Sequence, residues 1–292
     1  MKKGLKYISY ALYAVVVAAV LLYMRFPSAE LQSYLVRAAD GMDPRVIFET
    51  GSLDPSFPPG LRLKKPVLSL KEHPESPFFE ARELCVAPGM GSLMTGDITW
   101  FFDARAYGGV MGGRVLSGTD GKINGFSLSL KDVRLQEYAF LPDFGIGNVA
   151  GKLTGNLDYK GPIGRIDSGE GSGEFHISEG KIDFRTPFPG LETVPLGELN
   201  ARFTLKKGTV NLNRVSLDGK GFQGSLSGTI YLNRIMDRSR LNLKGTLEPV
   251  ADYLETLKGG PALLSLLGGV RNGSKRFFVI QGTFRSPKFR FI

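Results

Sequence analysis

The side chains that could support catalysis or bind a metal are few and scattered along this 292-residue chain. His73 and His176 are its only histidines and Cys85 its only cysteine, and neither histidine has a cysteine or a second histidine at metal-ligand spacing. A cysteine nucleophile also needs a recognisable local motif, and none surrounds Cys85. We therefore expect solvated histidines, a half-buried cysteine on a strand, and no metal site.

Two other patterns are typical of chemistry but stand in unsuitable surroundings. The stretch GKGFQG (219–224) matches the glycine spacing of dinucleotide sites, yet such sites need a following helix and this stretch leads into a strand pattern. Glu170, Glu174 and Glu179 form an acidic cluster on a glycine-rich turn and its strands, where water keeps carboxylates ionised. The sequence thus indicates no catalytic residue and no cofactor, and predicts that the protein is not an enzyme.

The elements that would carry any site are mainly strands. From Phe222 to Leu232 the side chains alternate between apolar and polar, and the apolar positions include Gly224 and Gly228. Similar alternation recurs from residue 45 onward, in a chain with 38 glycines and 17 prolines. These patterns predict a mainly β fold: one elongated, curved antiparallel sheet, as a trough or a flattened sandwich, with few short helices.

An uncharged, mostly apolar run from residue 7 to residue 24 precedes the strands. Its 18 residues would span about 27 Å as a helix, close to the hydrocarbon thickness of a bilayer. Lys2, Lys3 and Lys6 should stay on the cytoplasmic side, which places the rest of the chain outside. A cleaved signal peptide is the alternative. The residues expected in this transmembrane anchor are Tyr7, Tyr10, Leu12, Val16, Val20, Leu22 and Tyr23.

The expected domains follow from these patterns. Residues 1–26 would hold the cytoplasmic N-terminus and the anchor, and residues 27–44 an amphipathic helix at the membrane exit, with apolar side chains at Leu31, Tyr34, Leu35 and Ala38. Residues 45–292 would form a periplasmic β domain with an internal boundary near 136–150, and helical spacing interrupts the strands again at 249–269.

The charge of the chain indicates which kinds of partner it could bind. The chain carries a net charge of +9, with an excess of basic residues near its end. Such a charge favours nucleic acid or anionic lipid, and export argues against nucleic acid. A single cysteine excludes an internal disulfide, which is ordinary for a bacterial periplasmic protein. The side chains predicted to form a basic rim toward lipid phosphates or an acidic partner are Arg276, Arg285, Lys288 and Arg290.

Several stretches resemble known families. LDGKGFQGSLSGTIYL (217–232) and IQGTFRSPKF (280–289), with the basic start and single anchor, resemble the AsmA-like proteins. FPSAELQSYL (26–35), FPPGLRLKKPVLSL (57–70) and the helical interruption before the last strands resemble type II secretion system protein N. The resemblance covers nearly the whole chain and rests on spacing rather than on a diagnostic motif.

The resemblance implies a non-enzymatic, single-pass protein of the bacterial inner membrane that serves as a docking component of a type II secretion system and contacts other secretion proteins. The alternative is a lipid-binding or lipid-transfer protein that holds phospholipid or another acyl lipid in an apolar β groove, because the sheet of AsmA-like proteins curls into a trough. Whether the apolar face is an open groove or is covered by another layer stays open. The candidate groove residues are Phe222, Gly224, Leu226, Gly228, Ile230, Leu243, Phe278 and Ile280.

Overall fold

The computed structural model describes most of the chain after residue 24. The described ranges are 25–42, 44–56, 59–92, 98–138, 148–188, 191–250 and 275–292, with single helical positions at Tyr7, Tyr10, Tyr13, Ala14, Val17 and Tyr23. Apart from those positions, the predicted anchor lies outside the described residues, and so does the predicted helical segment from residue 251 onward. Among the described residues, no helix has both the length and the apolar composition needed to cross a membrane.

The chain is mainly β, as predicted, and divides into two compact units, Met1–Ala87 and Pro88–Ile292. The division therefore differs from the internal boundary expected near residues 136–150. The strands on the two sides of that segment pair directly, with Leu153 opposite Val133 and Leu157 opposite Leu128, so the sheet continues across it.

The first unit begins with helix α1 (Ser28–Met42), which confirms the helix predicted after residue 27. The backbone N–H of Leu31 donates to the carbonyl of Pro27 at 3.1 Å and closes the first turn. Leu31 and Leu35 are half-buried, but Tyr34, expected in the same apolar stripe, is 61% exposed. The buried stripe is therefore narrower than the spacing indicated.

Six short strands follow in the first unit and form two antiparallel groups, β1-β4-β5 and β2-β3-β6. Their bounds are β1 Val46–Glu49, β2 Ser52–Ser56, β3 Gly60–Lys64, β4 Val67–Leu70, β5 Phe79–Glu80 and β6 Glu83–Pro88. Leu53, Leu63 and Ala81 are buried at the centre, and Arg62 pairs with Glu83 at 2.9 Å on the surface. Hydrophobic burial rather than ion pairing therefore stabilises this unit.

The second unit is an antiparallel meander in which eleven strands pair in chain order, from β7 to β17. Their bounds are β7 Ile98–Ala106, β8 Gly109–Ser117, β9 Ile123–Arg134, β10 Asn148–Lys160, β11 Glu170–Phe188, β12 Leu191–Lys206, β13 Thr209–Asp218, β14 Phe222–Tyr231, β15 Arg240–Pro249, β16 Arg276–Thr283 and β17 Pro287–Phe291. Short 3-10 turns occupy Leu135–Glu137, Ile163–Ser168 and Met236–Arg238. The described strands of this unit form one sheet rather than the two stacked sheets of a sandwich.

Two-residue turns join neighbouring strands where the sequence permits left-handed backbone. Tyr107 and Gly108 connect β7 to β8, and Lys207 and Gly208 connect β12 to β13; all four residues have positive φ between 46° and 73°. This is the dihedral pattern of hairpin turns that match the twist of the flanking strands.

Glycines within the strands provide space for aromatic rings from the adjacent strand. A Cβ added to Gly173 would lie 2.6 Å from Cε1 and Cζ of Phe203, so the ring occupies the volume that a side chain would fill. Such aromatic cover compensates for the missing packing of a glycine in a sheet. Four directly paired positions share this arrangement: Phe102 with Gly113, Phe175 with Gly155, Phe203 with Gly173 and Phe278 with Gly245.

This packing predicts that Gly173→Ala destabilises the protein. The added methyl would displace the Phe203 ring, and overpacking of this kind costs roughly 1–3 kcal/mol. Urea denaturation followed by circular dichroism measures the loss. Gly91→Ala is the matched control, because a Cβ at Gly91 meets no atom within 4 Å.

Adding Phe203→Leu to Gly173→Ala should recover part of the lost stability, because the smaller side chain leaves room for the methyl. Equal stability of the Gly173→Ala and Gly91→Ala proteins would show that Phe203 does not occupy the space over Gly173.

Candidate functional site

The cross-strand register of the second unit aligns apolar residues and glycines across all eleven strands. Directly paired residues in an antiparallel sheet point to the same face, so a run of partners defines a row on that face. The central row consists of Phe102, Gly113, Leu128, Leu157, Gly173, Phe203, Leu212, Gly228, Leu243, Ile280 and Phe289. No member of this row has a polar side chain.

The rows on either side continue the same face. One row consists of Ala104, Met111, Leu130, Gly155, Phe175, Ala201, Val215, Leu226, Gly245, Phe278 and Phe291. The other consists of Trp100, Val115, Phe126, Tyr159, Gly171, Leu205, Val210, Ile230, Leu241, Gly282 and Pro287. We call the surface formed by these three rows the apolar face.

The opposite face of the same sheet is polar. Its central row consists of Phe101, Arg114, Ser127, Asp158, Ser172, Thr204, Asn211, Thr229, Asn242, Gln281 and Lys288. Cross-strand hydrogen bonds run along this face, such as the 2.8 Å contact between the hydroxyls of Ser225 and Thr246. In β15 the two faces differ sharply: Leu241 and Leu243 are 9% and 7% exposed, while Asn242 between them is exposed.

Polar atoms are nearly absent from the apolar face. Within its three rows, only the Trp100 indole and the Tyr159 hydroxyl could form a hydrogen bond. The Tyr159 hydroxyl donates to the carbonyl of Pro162 at 3.1 Å, so it is already satisfied. Burial, and then the charge of Asp167, raise the pKa of Tyr159 and keep the phenol neutral. The face therefore offers dispersion and hydrophobic contact, and almost no directional recognition.

Aromatic rings contact one another along the apolar face but do not close it. Phe175 and Phe203 stack at 6.0 Å between ring centroids, and Phe278 and Phe289 at 5.1 Å. Trp100 and Phe289, on the first and last strands of the second unit, are 37% and 53% exposed. In the described part of the second unit, each strand contacts mainly its sheet neighbours, and the 3-10 turn Ile163–Ser168 with its flanks folds over one border of this face, at Tyr159.

All eight predicted groove residues lie on one side of β14, β15 and β16. Leu226 pairs with Gly245, and Gly228 pairs with Leu243. Gly228 has φ of 138°, which other residues rarely adopt, so a larger side chain there would strain the backbone. The rest of the apolar face, on β7 to β13, was not among the predicted groove residues. The apolar alternation of these strands is visible in the sequence. The period of two residues breaks in β9 and in β13, however, and these breaks conceal that the strands share one face.

The four side chains of the predicted basic rim do not lie close together. Arg276 pairs with Leu247 at the start of β16, while Arg285 lies in the β16–β17 turn at the other end of the strands. Lys288 and Arg290 lie on the polar side of β17, opposite Gln281 and Val279. These cations therefore do not form a single binding cluster.

The residues considered for catalysis form structural pairs. His176 Nδ1 lies 2.8 Å from Oδ1 of Asn200, its cross-strand partner. Glu174 pairs with Arg202, and Glu179 Oε1 accepts from Nζ of Lys152 at 2.7 Å.

Cys85 is half-buried on β6, as predicted. A strand follows Gly221, which agrees with the argument against a dinucleotide site. Within the described ranges, no three His, Cys, Asp or Glu side chains are close enough together to hold a metal ion.

The polar face has a groove of its own. It encloses about 650 Å³ across β7 to β10 and is lined by cations such as Arg114 and Lys131 and by carboxylates such as Asp103 and Asp158. Arg114 Nε donates to the Ser127 hydroxyl at 3.3 Å. The two signs of charge are mixed and largely solvated, so this groove selects no ligand class.

Comparison with protein-family models, with curated proteins and with solved structures found no match for this chain. The fold and the candidate site thus define a class, an antiparallel meander with one apolar and one polar face. The resemblance to AsmA-like proteins and to type II secretion protein N stays a prediction.

An open apolar face predicts that thiols introduced on the two sides of β14 react at similar rates. In a Cys85→Ser background, Leu226→Cys should react with a small water-soluble maleimide within about tenfold of the rate of Ser227→Cys, since access governs thiol labelling. Leu53→Cys, at a position 1% exposed, is the buried reference. Labelling of Leu226→Cys as slow as the reference would mean that the face is covered.

Proposed function

We propose that this protein is a non-enzymatic lipid-binding protein that holds acyl chains along its apolar face. We further propose that residues 7–24 anchor it as a single transmembrane helix in the bacterial inner membrane, with the chain from residue 27 onward in the periplasm. The one observation that carries the proposal is the continuity of the apolar rows across eleven strands.

The dimensions of the face suit lipid. Ten spacings between eleven strands extend over about 48 Å at the usual separation of neighbouring strands. The acyl chains of one leaflet occupy about 15 Å, half of a bilayer's hydrocarbon thickness. The face could therefore accommodate more than one lipid along its length, which an enclosed pocket of ordinary size would not.

The chemistry of the face also favours acyl chains over a peptide. An extended peptide must satisfy its own N–H and C=O groups, and within the three described rows only the Trp100 indole offers a free donor, since the Tyr159 hydroxyl already donates to Pro162. A peptide could instead add to an open sheet edge, but the last strand, β17, is five residues long and carries Pro287, Lys288 and Arg290. Short length, proline and charge disfavour strand addition. An acyl chain needs no hydrogen bond at all.

A role as a docking component of a type II secretion system, which the resemblance implies, is the second proposal. It does not conflict with lipid binding, because other surfaces of the protein could contact secretion proteins. The apolar face by itself gives it no specific support.

Photocrosslinking on opposite sides of one strand tests the lipid proposal with the full-length chain in bacterial membranes. A photoreactive benzophenone amino acid in place of Leu226 should form adducts with phosphate-labelled lipid. The same group in place of Ser227, one residue away on the polar face, should give at least about tenfold less adduct, because lipid contact is confined to one face. Adducts with protein at Leu226 would favour a docking role, and equal lipid adducts at both positions would exclude a face-specific groove.

A charge placed on the apolar face should expel the lipid. In the protein with the photoreactive group at Leu226, Ile230→Asp should reduce the adduct by about tenfold or more, because an unpaired carboxylate on an apolar surface is costly to desolvate. Thr229→Asp places the same charge on the polar face and should leave the adduct unchanged. Circular dichroism of both proteins checks that the sheet is retained.

A further inference from the structure

The connections at one end of the strands in the second unit form a continuous border, which we call the loop edge. Because the meander reverses direction at every strand, alternate connections meet at the same end of the sheet. The loop edge comprises four neighbouring connections, residues 161–169, 207–208, 232–239 and 284–286, which join β10 to β11, β12 to β13, β14 to β15 and β16 to β17. The β8–β9 connection, residues 118–122, lies at the same end but is not counted in it, because its Asp120 and Lys122 pair with each other at 3.0 Å.

Backbone contacts link these connections to one another. The Leu232 N–H donates to the Gly208 carbonyl at 2.7 Å, and the Phe284 N–H donates to the Ser239 carbonyl at 3.1 Å. Gly208 also lies against Asp167, since a Cβ added there would be 3.1 Å from the Asp167 carbonyl oxygen. The loop edge is therefore one contiguous surface rather than four separate loops.

Large apolar side chains on the loop edge are exposed. Isolated exposed apolar residues are common on protein surfaces, but a contiguous group marks an interaction site. Five such side chains, each between 42% and 54% exposed, lie in three of the four connections: Ile163, Ile166, Ile235, Met236 and Phe284. They are not part of the apolar face, whose rows lie within the strands.

Positive charge surrounds these side chains. The loop edge contains only two carboxylates, Asp167 and Asp237, against five cations. Within the described part of the chain, none of the five forms an ion pair. The cations are Arg165, Lys207, Arg234, Arg238 and Arg285.

We propose that the loop edge docks on the surface of an anionic lipid bilayer, with its exposed apolar side chains among the lipid headgroups and its cations on the phosphates. Both features are needed for such docking: apolar side chains enter the headgroup boundary, and each nearby Lys or Arg adds about fivefold in affinity for an anionic surface. An acidic protein matches both features only if it carries an apolar patch framed by carboxylates at the same spacing, whereas a fluid bilayer adapts to any spacing of apolar and basic side chains.

This docking goes beyond lipid binding by the apolar face and does not depend on it. The apolar row that contains Tyr159, Leu205, Ile230 and Leu241 is the one nearest the loop edge. If both proposals hold, a docked bilayer meets the end of the apolar face, where acyl chains could pass from one to the other.

The test uses the full-length chain in nanodiscs of phosphatidylcholine, so that any membrane anchor is already occupied. These nanodiscs are mixed with sucrose-loaded vesicles, either of phosphatidylcholine alone or with about 30% phosphatidylglycerol as the anionic lipid. Sedimentation of the vesicles measures docking. We expect at least about tenfold stronger binding to the anionic vesicles, and weaker binding at high salt.

A matched pair of triple variants locates the interaction. Arg234→Ala with Arg238→Ala and Arg285→Ala should reduce binding by about a hundredfold, because three cations near the surface are removed. Lys244→Ala with Lys288→Ala and Arg290→Ala removes the same charge from the polar face of the same strands and should change binding by less than about fivefold. Replacing the same three loop arginines by lysine keeps the positive charge, so this variant should bind the vesicles as strongly as the unmodified protein. Equal losses in the two alanine variants would overturn the proposal, since net charge alone would then explain the binding.

A fluorescent probe reports insertion directly. In the Cys85→Ser background, a nitrobenzoxadiazole group on Met236→Cys should brighten and shift to the blue with anionic vesicles, while the same probe on Ser225→Cys should not. No change at Met236 would overturn the proposal. Polyglutamate at equal charge should displace the vesicles only in part, because it offers no apolar boundary to the exposed side chains; complete displacement would indicate an acidic protein partner instead. The lipid crosslink at Leu226 is read separately, so a failure of docking is distinguishable from a failure of lipid binding.

Discussion

Cross-strand register is the constraint on which the second unit depends. Because side chains alternate between the faces of a strand, a slip of one residue in any pair would move the apolar side chains of that strand to the polar face. The register is nevertheless maintained over ten successive pairings. The separation of apolar and polar surface is therefore a property of the whole sheet, and each strand depends on its two neighbours for it.

Bulges preserve this register where the sequence breaks its own period. Leu212 and Val215 are three residues apart, which would place them on opposite faces of a regular strand. A register shift between them lets Leu212 pair with Gly228 and Val215 with Leu226, so both remain on the apolar face. A similar bulge in β9 keeps Leu130 and Val133 on the same face, opposite Gly155 and Leu153. Asp132, within the bulge, has a positive φ of 54°. An extra residue on one strand is the usual way for a sheet to realign its side chains.

The cost of such a sheet is a large apolar surface that the described elements cover only at its border, near Tyr159. Aromatic rings over glycines reduce that cost locally, because each ring contacts two strands and fills the space above the backbone. They do not remove it, since most of the face remains partly exposed. Lipid on the apolar face and a bilayer against the loop edge would both reduce the exposed apolar surface, and this shared physical reason connects two proposals that rest on different residues.

The sequence alone determined the mainly β fold, helix α1 and the apolar side of β14 to β16, because alternation and helical spacing are local patterns that can be counted along the chain. It also indicated that the glycine-rich motif at 219–224 leads into a strand. The sequence did not reveal that the first unit ends at Ala87, or that the basic residues between Arg276 and Arg290 lie apart from one another. Both facts depend on which strands pair. The eleven-strand rows, the rings over the glycines and the loop edge are tertiary in origin. Each of them brings together residues that are far apart in the chain, through the hydrogen-bonded register between strands. The spacing of residues within one strand does not specify how that strand pairs with the next.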